Sequence, residues 1–410
     1  MINQFLKIFK KSRFVLYYQI VDKLFFFILF LILARLLSVD NYGNIVLLFS
    51  VSNILMFVFQ FGLPVYLQRQ VARNNVVDKS DLSSALYYGF TSFLISTFIM
   101  LLIFHFYYAN TNYSLIVILH SFVYSFYFIS ILNSILLGKR EEKIQFISYS
   151  SVRLLSIILI ISLLIVYPSI ILFILIGLIG NIIIALSFYK FILNKFTPVR
   201  NTTRSLSNSL KSIFIYSFPI GVAAMVNFLY DKIDIIIISE IIDIEKVAFY
   251  NIAYGVYKSS NLLFSFILVS GFTRVSSLSL RKFAVKIFLR KYSYYILTIS
   301  VSASIALYFS SEILINLIYG EKYIPAVILL QYLSFSVIPL ALNNLTGITM
   351  NGLGMYKENM YVVLIALLIN IALNIVLLLN LGIIGAVYAT IITEVFILIC
   401  DAFYLKNKLW

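Results

Sequence analysis

FISYSSVRLLSIILIISLLIVYPSIILFILIGLIGNIIIALSFYKFIL, residues 146–193, carries two charges along its whole length, Arg153 and Lys190. Tyr167-Pro168-Ser169 divides it into two apolar runs, each long enough to cross a hydrocarbon core of about 30 Å as a helix of about 20 residues. Neither run shows the period-2 alternation of a membrane barrel strand. The same pattern recurs in both directions, giving twelve segments at roughly 14–37, 43–66, 83–106, 113–137, 146–167, 170–193, 212–239, 247–270, 291–318, 326–350, 360–380 and 383–405. Of the 410 residues 62% are hydrophobic and 11% charged, against about 25% charged in soluble domains, and the mean hydropathy is +1.01. A soluble enzyme, a nucleic-acid binder and a secreted domain are excluded, because too few charges remain to cover so much apolar surface. The sequence predicts an all-α integral membrane protein of twelve transmembrane helices.

Cys400 is the single cysteine, so no internal disulfide forms, and His105 and His120 are the only histidines, so no Cys/His metal cluster is expected. The net charge of +15 is a topology signal. Of 31 Lys and Arg, 24 fall in one set of loops and at the termini, among them Lys7, Arg69, Lys139, Lys195, Arg274, Lys282 and Lys406; only Arg35, Lys246 and Lys322 fall in the opposite set. Both termini are therefore expected in the cytoplasm of a bacterial inner membrane, with some affinity for anionic lipid and none for nucleic acid. The stretch MINQFLKIFKKSRF (1–14) resembles a signal-peptide n-region, but the apolar run after it reaches Leu37 without a small-residue cleavage site and is read as a retained first span.

The outer loops are too short to hold an external catalytic domain. KFTPVRNTTRSLSNSLKS (194–211) is polar, lies at the midpoint, and divides an N-terminal lobe (1–193, six spans) from a C-terminal lobe (212–410, six spans). The lobes repeat. Asp22-Lys23, Tyr42-Gly43 and Gly62-Leu63 recur as Asp231-Lys232, Tyr250-Asn251 and Gly271-Phe272 at offsets of 209, 208 and 209, and Gly177…Gly180 recurs as Gly382…Gly385 at 205. Six spans per lobe make the repeats parallel, an arrangement in which transporters place substrate between the lobes; an ancient duplication alone would leave the same trace.

Five stretches, in order and spacing, resemble a known family: LILARLLSVDNYGNIVLLFSV (31–51), FQFGLPVYLQRQVAR (59–73), IDIIIISEIIDIEKVAFYNIAYGVYKSSNLLFSFI (233–267), LINLIYGEKYIPAVILLQYLSFSVIPLALNNLTGITMNGLGMYKE (314–358) and INIALNIVLLLNLGIIGAVYATIITE (369–394). The chain is similar to the polysaccharide-transport branch of the multidrug/oligosaccharidyl-lipid/polysaccharide exporter superfamily, the O-antigen or capsule repeat-unit flippases above all. The resemblance implies a MATE-like fold with two six-helix lobes in a V around a cavity. It also implies a cargo of undecaprenyl-pyrophosphate-linked oligosaccharide, moved from the inner to the outer leaflet, with polymerase and chain-length proteins as pathway partners; a monomer is expected because each chain already holds both lobes. Family members often have a cationic cavity; here the charges inside spans balance, Lys23, Arg153, Lys232 and Lys258 against Asp22, Asp231, Asp234 and Glu394.

Charges inside spans cost about 2.5–3.5 kcal/mol each at the helix centre on insertion scales, and generally face a bundle interior or a water-filled cavity. Asn251, Tyr254, Lys258 and Asn261 share one helical face, and with Lys23 and Lys232 they are the candidate substrate contacts. A lysine binds phosphate oxygen as a point charge; amides and phenols bind sugar hydroxyls. Asp22, Asp231, Asp234 and Glu394 are the candidate ion-coupling acids. Asp231 and Asp234 are three residues apart, so their like charges come close. Each of the charged residues among these has a plainer reading as a partner in a buried ion pair. Arg153 is expected to snorkel to the cytoplasmic face, Asp401 to be solvated, His120 to pack, and Asn370 and Asn374 to hold helices together.

No cofactor or catalytic residue is called for, and the ATP-binding pattern GxxxxGK[ST] is absent. Competing functions are a drug or small-cation antiporter of the same superfamily, a membrane polysaccharide polymerase, and a scaffold. The polymerase needs a large external loop with catalytic Arg or His, and eight charges inside spans argue against a passive scaffold.

Overall fold

The computed structural model describes residues 2–74, 79–107, 112–196, 206–268, 275, 278 and 281–409. Most of the expected linker (197–205), the repeat landmark Gly271-Phe272 and Arg274 lie outside the described residues. Within them the chain forms fifteen helices, one 3-10 turn and no strand. The helices are α1 (Ile2–Leu36), α2 (Val39–Gln60), α3 (Leu63–Asn74), α4 (Lys79–Tyr107), α5 (Tyr113–Gly138), α6 (Glu142–Val166), α7 (Ile170–Lys195) and α8 (Leu206–Ile241). They continue as α9 (Ile244–Ser259), α10 (Asn261–Leu268), α11 (Lys282–Tyr319), α12 (Ala326–Ser334), α13 (Val337–Gly352), α14 (Tyr356–Leu381) and α15 (Ile384–Leu409). Each of the twelve expected segments falls on one of these helices or on two in succession.

Among the described residues, eight helices are long and apolar enough to cross a membrane, or nine when α12 and α13, bent by 49° at Phe335-Ser336, count as one. Their outer faces confirm the solvent: Ile165 is 82% exposed and Leu379 70%, an arrangement suited to lipid and not to water. The chain is an all-α, multi-pass integral membrane protein.

Helix ends follow local chemistry. Pro168 cannot continue α6, and its ring drives Tyr167 out of the helical region. The Asn112 side chain accepts from the Leu115 N–H at 3.2 Å to start α5, and Asp243 does the same for the Lys246 N–H at 2.7 Å to start α9. Span 2 is interrupted at Phe61-Gly62, both with positive φ (42° and 69°), and the chain resumes as α3. Span 8 breaks at Ser260 into α9 and α10.

The chain divides into two compact units, Met1–Leu36 with Leu48–Phe228, and Leu37–Leu47 with Leu229–Trp410. In the first, α5 is the central helix: α3, α4 and α7 pack on it, and Ile116, Leu119, Phe122, Tyr124, Tyr127 and Leu132 are among its buried side chains. In the second, α14 and α15 form the most extensive pair, and α12 is packed between α9 and α11.

The α14–α15 turn depends on glycine. Gly382 has φ +60°, and a Cβ on Gly385 would overlap the backbone of Leu377 and Leu378. Backbone cannot move aside as a side-chain tip can. Gly385→Ala should therefore cost about 1–3 kcal/mol of overpacking and lower the temperature at which the purified protein loses its monodisperse elution peak. Gly255→Ala, with nothing within 4 Å of the new Cβ, should leave that temperature unchanged or slightly raised. Equal behaviour of the two variants would show that the α14–α15 approach is not close.

Candidate functional site

The second unit holds a polar network between apolar helices. Asp231 and Asp234 project from α8 three residues apart, on neighbouring positions of the helix surface, yet they meet different partners. The Asp231 Oδ1 lies 2.7 Å from Lys258 Nζ on α9 and accepts from the Tyr254 hydroxyl at 3.1 Å. Lys258 Nζ is also 4.0 Å from Glu394 Oε1 on α15, and the same ammonium sits 5.4 Å from the centre of the Tyr254 ring. Asn343 on α13 donates to Glu394 Oε2 at 2.7 Å and to the Glu394 carbonyl at 2.9 Å. The two acids are not equivalent. The Asp231 side chain is 45% exposed and Glu394 only 3%, so the ion pair has one open and one sealed partner.

Asp234 is buried in its own pocket of donors. Tyr250 donates to Oδ2 at 2.5 Å, Asn374 on α14 donates to Oδ1 at 2.9 Å, and Thr390 on α15 donates to Oδ2 at 3.4 Å. Asn374 thus joins α14 to α8, as expected of interhelical amide bonding. Asp401, on the face of Glu394 and two turns further along α15, is also buried, where solvation was expected: it is 1% exposed and accepts from Thr346 of α13 at 2.6 Å. The α15 helix continues to Leu409, so Asp401 lies two turns inside its end.

The remaining candidates spread along this unit. Asn251 donates to the Tyr42 hydroxyl at 3.2 Å, and Asn261 accepts from Asn344 at 2.7 Å. Of the stripe on span 8, Tyr254 and Lys258 converge on one acid, and the break at Ser260 separates Asn261 from them. Lys232 lies beside Asp231 without a direct ion pair. The network matches four carboxylates, Asp231, Asp234, Glu394 and Asp401, with two ammonium groups, Lys232 and Lys258. Carboxylates are costly away from water unless they are paired or hydrogen-bonded, and here each of the four has at least one such partner.

In the first unit Lys23 is exposed on α1 and, among the described residues, forms no ion pair. Asp22 accepts from the Tyr149 hydroxyl. Arg153 does not snorkel. It is fully buried, its Nη2 donates to Asn181 Oδ1 at 2.6 Å, and its guanidinium lies 4.2, 4.7 and 5.3 Å from the rings of Phe25, Tyr149 and Phe126. The reason is depth: α6 begins at Glu142, so Arg153 is eleven residues in, about 16 Å along the helix, beyond the reach of its own side chain. Asn343, Asn181 and Tyr149 were not singled out as site residues; the amides Asn181 and Asn343 inside apolar runs were the signal for two of them.

The family model described as "Polysaccharide biosynthesis protein" matches residues 8–279. An uncharacterized membrane protein of Methanocaldococcus jannaschii is 24% identical over 418 residues, covering 96% of this chain and 97% of that protein. Among solved structures, the inward-facing conformation of a multidrug resistance MATE family transporter of the MOP superfamily superposes with a TM-score of 0.75 at 12% identity, covering 94% of each chain. The lipid II flippase MurJ in an inward closed conformation gives 0.75 at 18% identity, covering 95% of this chain and 87% of that one. The eukaryotic MATE transporter AtDTX14 gives 0.64 at 14% identity, covering 99% and 98%. The MATE-like fold is what the sequence resemblance implied, and with the match over about two thirds of its length this chain belongs to the polysaccharide biosynthesis protein family.

Proposed function

We propose that the chain is a flippase that moves a lipid-linked oligosaccharide, of the undecaprenyl-pyrophosphate type, from the inner to the outer leaflet of a bacterial cytoplasmic membrane. The observation that carries this reading is the half-open Lys258–Asp231 pair. An ammonium held at membrane depth by a carboxylate that is itself exposed can exchange that carboxylate for a phosphate oxygen. Tyr254, Asn251 and Asn261 supply polar contacts for sugar along the same stretch, Lys232 adds charge for the pyrophosphate, and the exposed Lys23 of the first unit is a further phosphate-binding candidate. Family membership supports a polysaccharide pathway, and one neighbour in fold is named a lipid II flippase. Twelve spans in two lobes, 1–193 and 212–410, with both termini cytoplasmic, would act by alternating access as a monomer. Asp22, Asp231, Asp234 and Glu394 would couple the cycle to a cation or to the membrane potential. Polymerase and chain-length proteins would take the product onward.

A second reading, a small-molecule or drug cation antiporter, is favoured by the carboxylate excess of the second unit and by the solved multidrug MATE transporters that share the fold. Depletion in the native host separates the two. Lipid-linked glycan should accumulate on the cytoplasmic face, with rescue by wild type and not by Lys258→Ala or Lys23→Ala. Unchanged delivery of the glycan to the outer face, together with lost efflux of a cationic dye, would replace the flippase by the antiporter.

A further inference from the structure

Three buried side-chain oxygens of the second unit make no hydrogen bond among the described residues: one each on Asn343, Asn374 and Asp401. They are not scattered. Asn374 stands at Asp234, whose carboxylate also receives Thr390. Tyr230 and Tyr257 hydrogen-bond Glu394, and Ser336 hydrogen-bonds Tyr257. Asn343 holds Glu394, the Thr346 hydroxyl is 3.1 Å from the Asn343 carbonyl oxygen, and Thr346 donates to Asp401. Thr390, Glu394 and Asp401 descend one helix, α15, over eleven residues, about 16 Å. The orphaned atoms therefore mark one tract that starts at Asp234 and ends at Asp401, two turns from the helix end that bears Lys406 and Lys408.

We infer that this tract is a proton route, with Asp401 as its terminal acid and Glu394 as its inner acid. This rests on the reading of Glu394 as a coupling group. Buried water binds polar groups that lack partners of their own, and between the acids the Asn343 amide oxygen and the second Asp401 oxygen are such groups. Seven residues of helix, about 10 Å, is too far for direct transfer between Asp401 and Glu394, so bound water must relay. A proton taken up by the Asp401 carboxylate passes from its carboxyl to a bound water, and that water's own proton passes on to Glu394. Asp401 returns to carboxylate and Glu394 becomes a carboxylic acid. The neutral Glu394 no longer attracts Lys258, which is left to Asp231 alone, so proton arrival loosens the ammonium from the sealed side of its pair. The charged and titratable groups facing Glu394 are Lys258, Asp231, Tyr230 and Tyr257, with the Asn343 amide; those facing Asp401 are Thr346 and its neighbour Cys400. No cation pairs with Asp401 among the described residues.

The test is time-resolved infrared spectroscopy of the full-length protein in liposomes after an acid jump at the Lys406/Lys408 face. The carboxylic C=O band of Glu394 is assigned by its loss in Glu394→Gln. Asp401→Asn should slow the rise of that band at least tenfold and leave its final amplitude unchanged. Asp401→Glu should restore the rate, and Thr346→Val should slow it severalfold. A jump at the opposite face should not depend on residue 401. An unchanged rate in Asp401→Asn would overturn the route and leave the coupling role of Glu394 standing. A Glu394 that never protonates between mildly basic and mildly acidic pH would overturn both, without touching the glycan assay.

Discussion

Lys258→Met should be the most damaging single change in the second unit, and Glu394→Gln should repair part of the damage to stability. The ammonium has two acids, Asp231 at 2.7 Å and Glu394 at 4.0 Å. Its removal strands Glu394, whose side chain is 3% exposed. Breaking a buried ionic group by deleting one partner costs about 3–5 kcal/mol. Asp231 contributes the smaller share, because its side chain is 45% exposed and exposed pairs are worth about 1 kcal/mol or less. In the double variant the neutral amide that replaces the Glu394 carboxylate still accepts from Asn343, and no sealed carboxylate is left that Lys258 had paired. The coupling between the two sites should be about 1–3 kcal/mol, read as the recovery of the thermal midpoint of the purified protein. Glycan movement should remain lost in both variants, because both lack the ammonium. A Lys258→Met protein as stable as wild type would mean that Glu394 is already neutral or hydrated, and the ion pair would then not be the organising contact of the site.

The sequence made the charges visible and left their partners hidden. That Asp231, Asp234, Lys258 and Glu394 lie inside spans follows from counting along apolar runs. That Lys258 joins Asp231 to Glu394, while Asp234 turns to Tyr250, Asn374 and Thr390, depends on how α8, α9, α14 and α15 pack, and helical periodicity within one span carries no such information. His120 was legible as a packing residue: Ser52 and Ser96 satisfy its two ring nitrogens at 2.7 and 2.9 Å, and Phe93 stacks on it. Arg153 and Asp401 were misplaced for one reason. Their depth was measured from the edge of the apolar run, whereas α6 starts at Glu142, four residues before that run, and α15 ends at Leu409, four residues after its own. Polar residues at helix ends still form helix, so each charge lies about a turn deeper than composition indicates.

That extra turn sets the second large effect. Arg153→Leu should destabilise the first unit by about 3–5 kcal/mol, the range for deleting a buried charge whose surroundings are built for it. The favourable contributions to the guanidinium are a hydrogen bond from a charged donor to Asn181, worth about 1.5–3 kcal/mol, and three aromatic faces at 4.2–5.3 Å, each worth about 0.5–2 kcal/mol. Against them stand Nε and Nη1, which have no hydrogen-bond partner among the described residues. The rings turn their negative faces to the cation, so the attraction outweighs the unmade bonds. Leucine abandons these contacts, strands the Asn181 Oδ1, and takes from Asp22 the buried cation nearest to it. Arg153→Lys keeps the charge and loses the planar stack, and about half of the destabilisation should remain. Asp22→Asn added to Arg153→Leu should recover part of the loss, because the amide oxygen still accepts from Tyr149 and no charge is left over. Thermal midpoints of the four proteins decide it: a leucine variant as stable as wild type would place the guanidinium in water at the membrane surface, and a double variant no better than the single one would show that Asp22 and Arg153 do not compensate each other across the aromatic box.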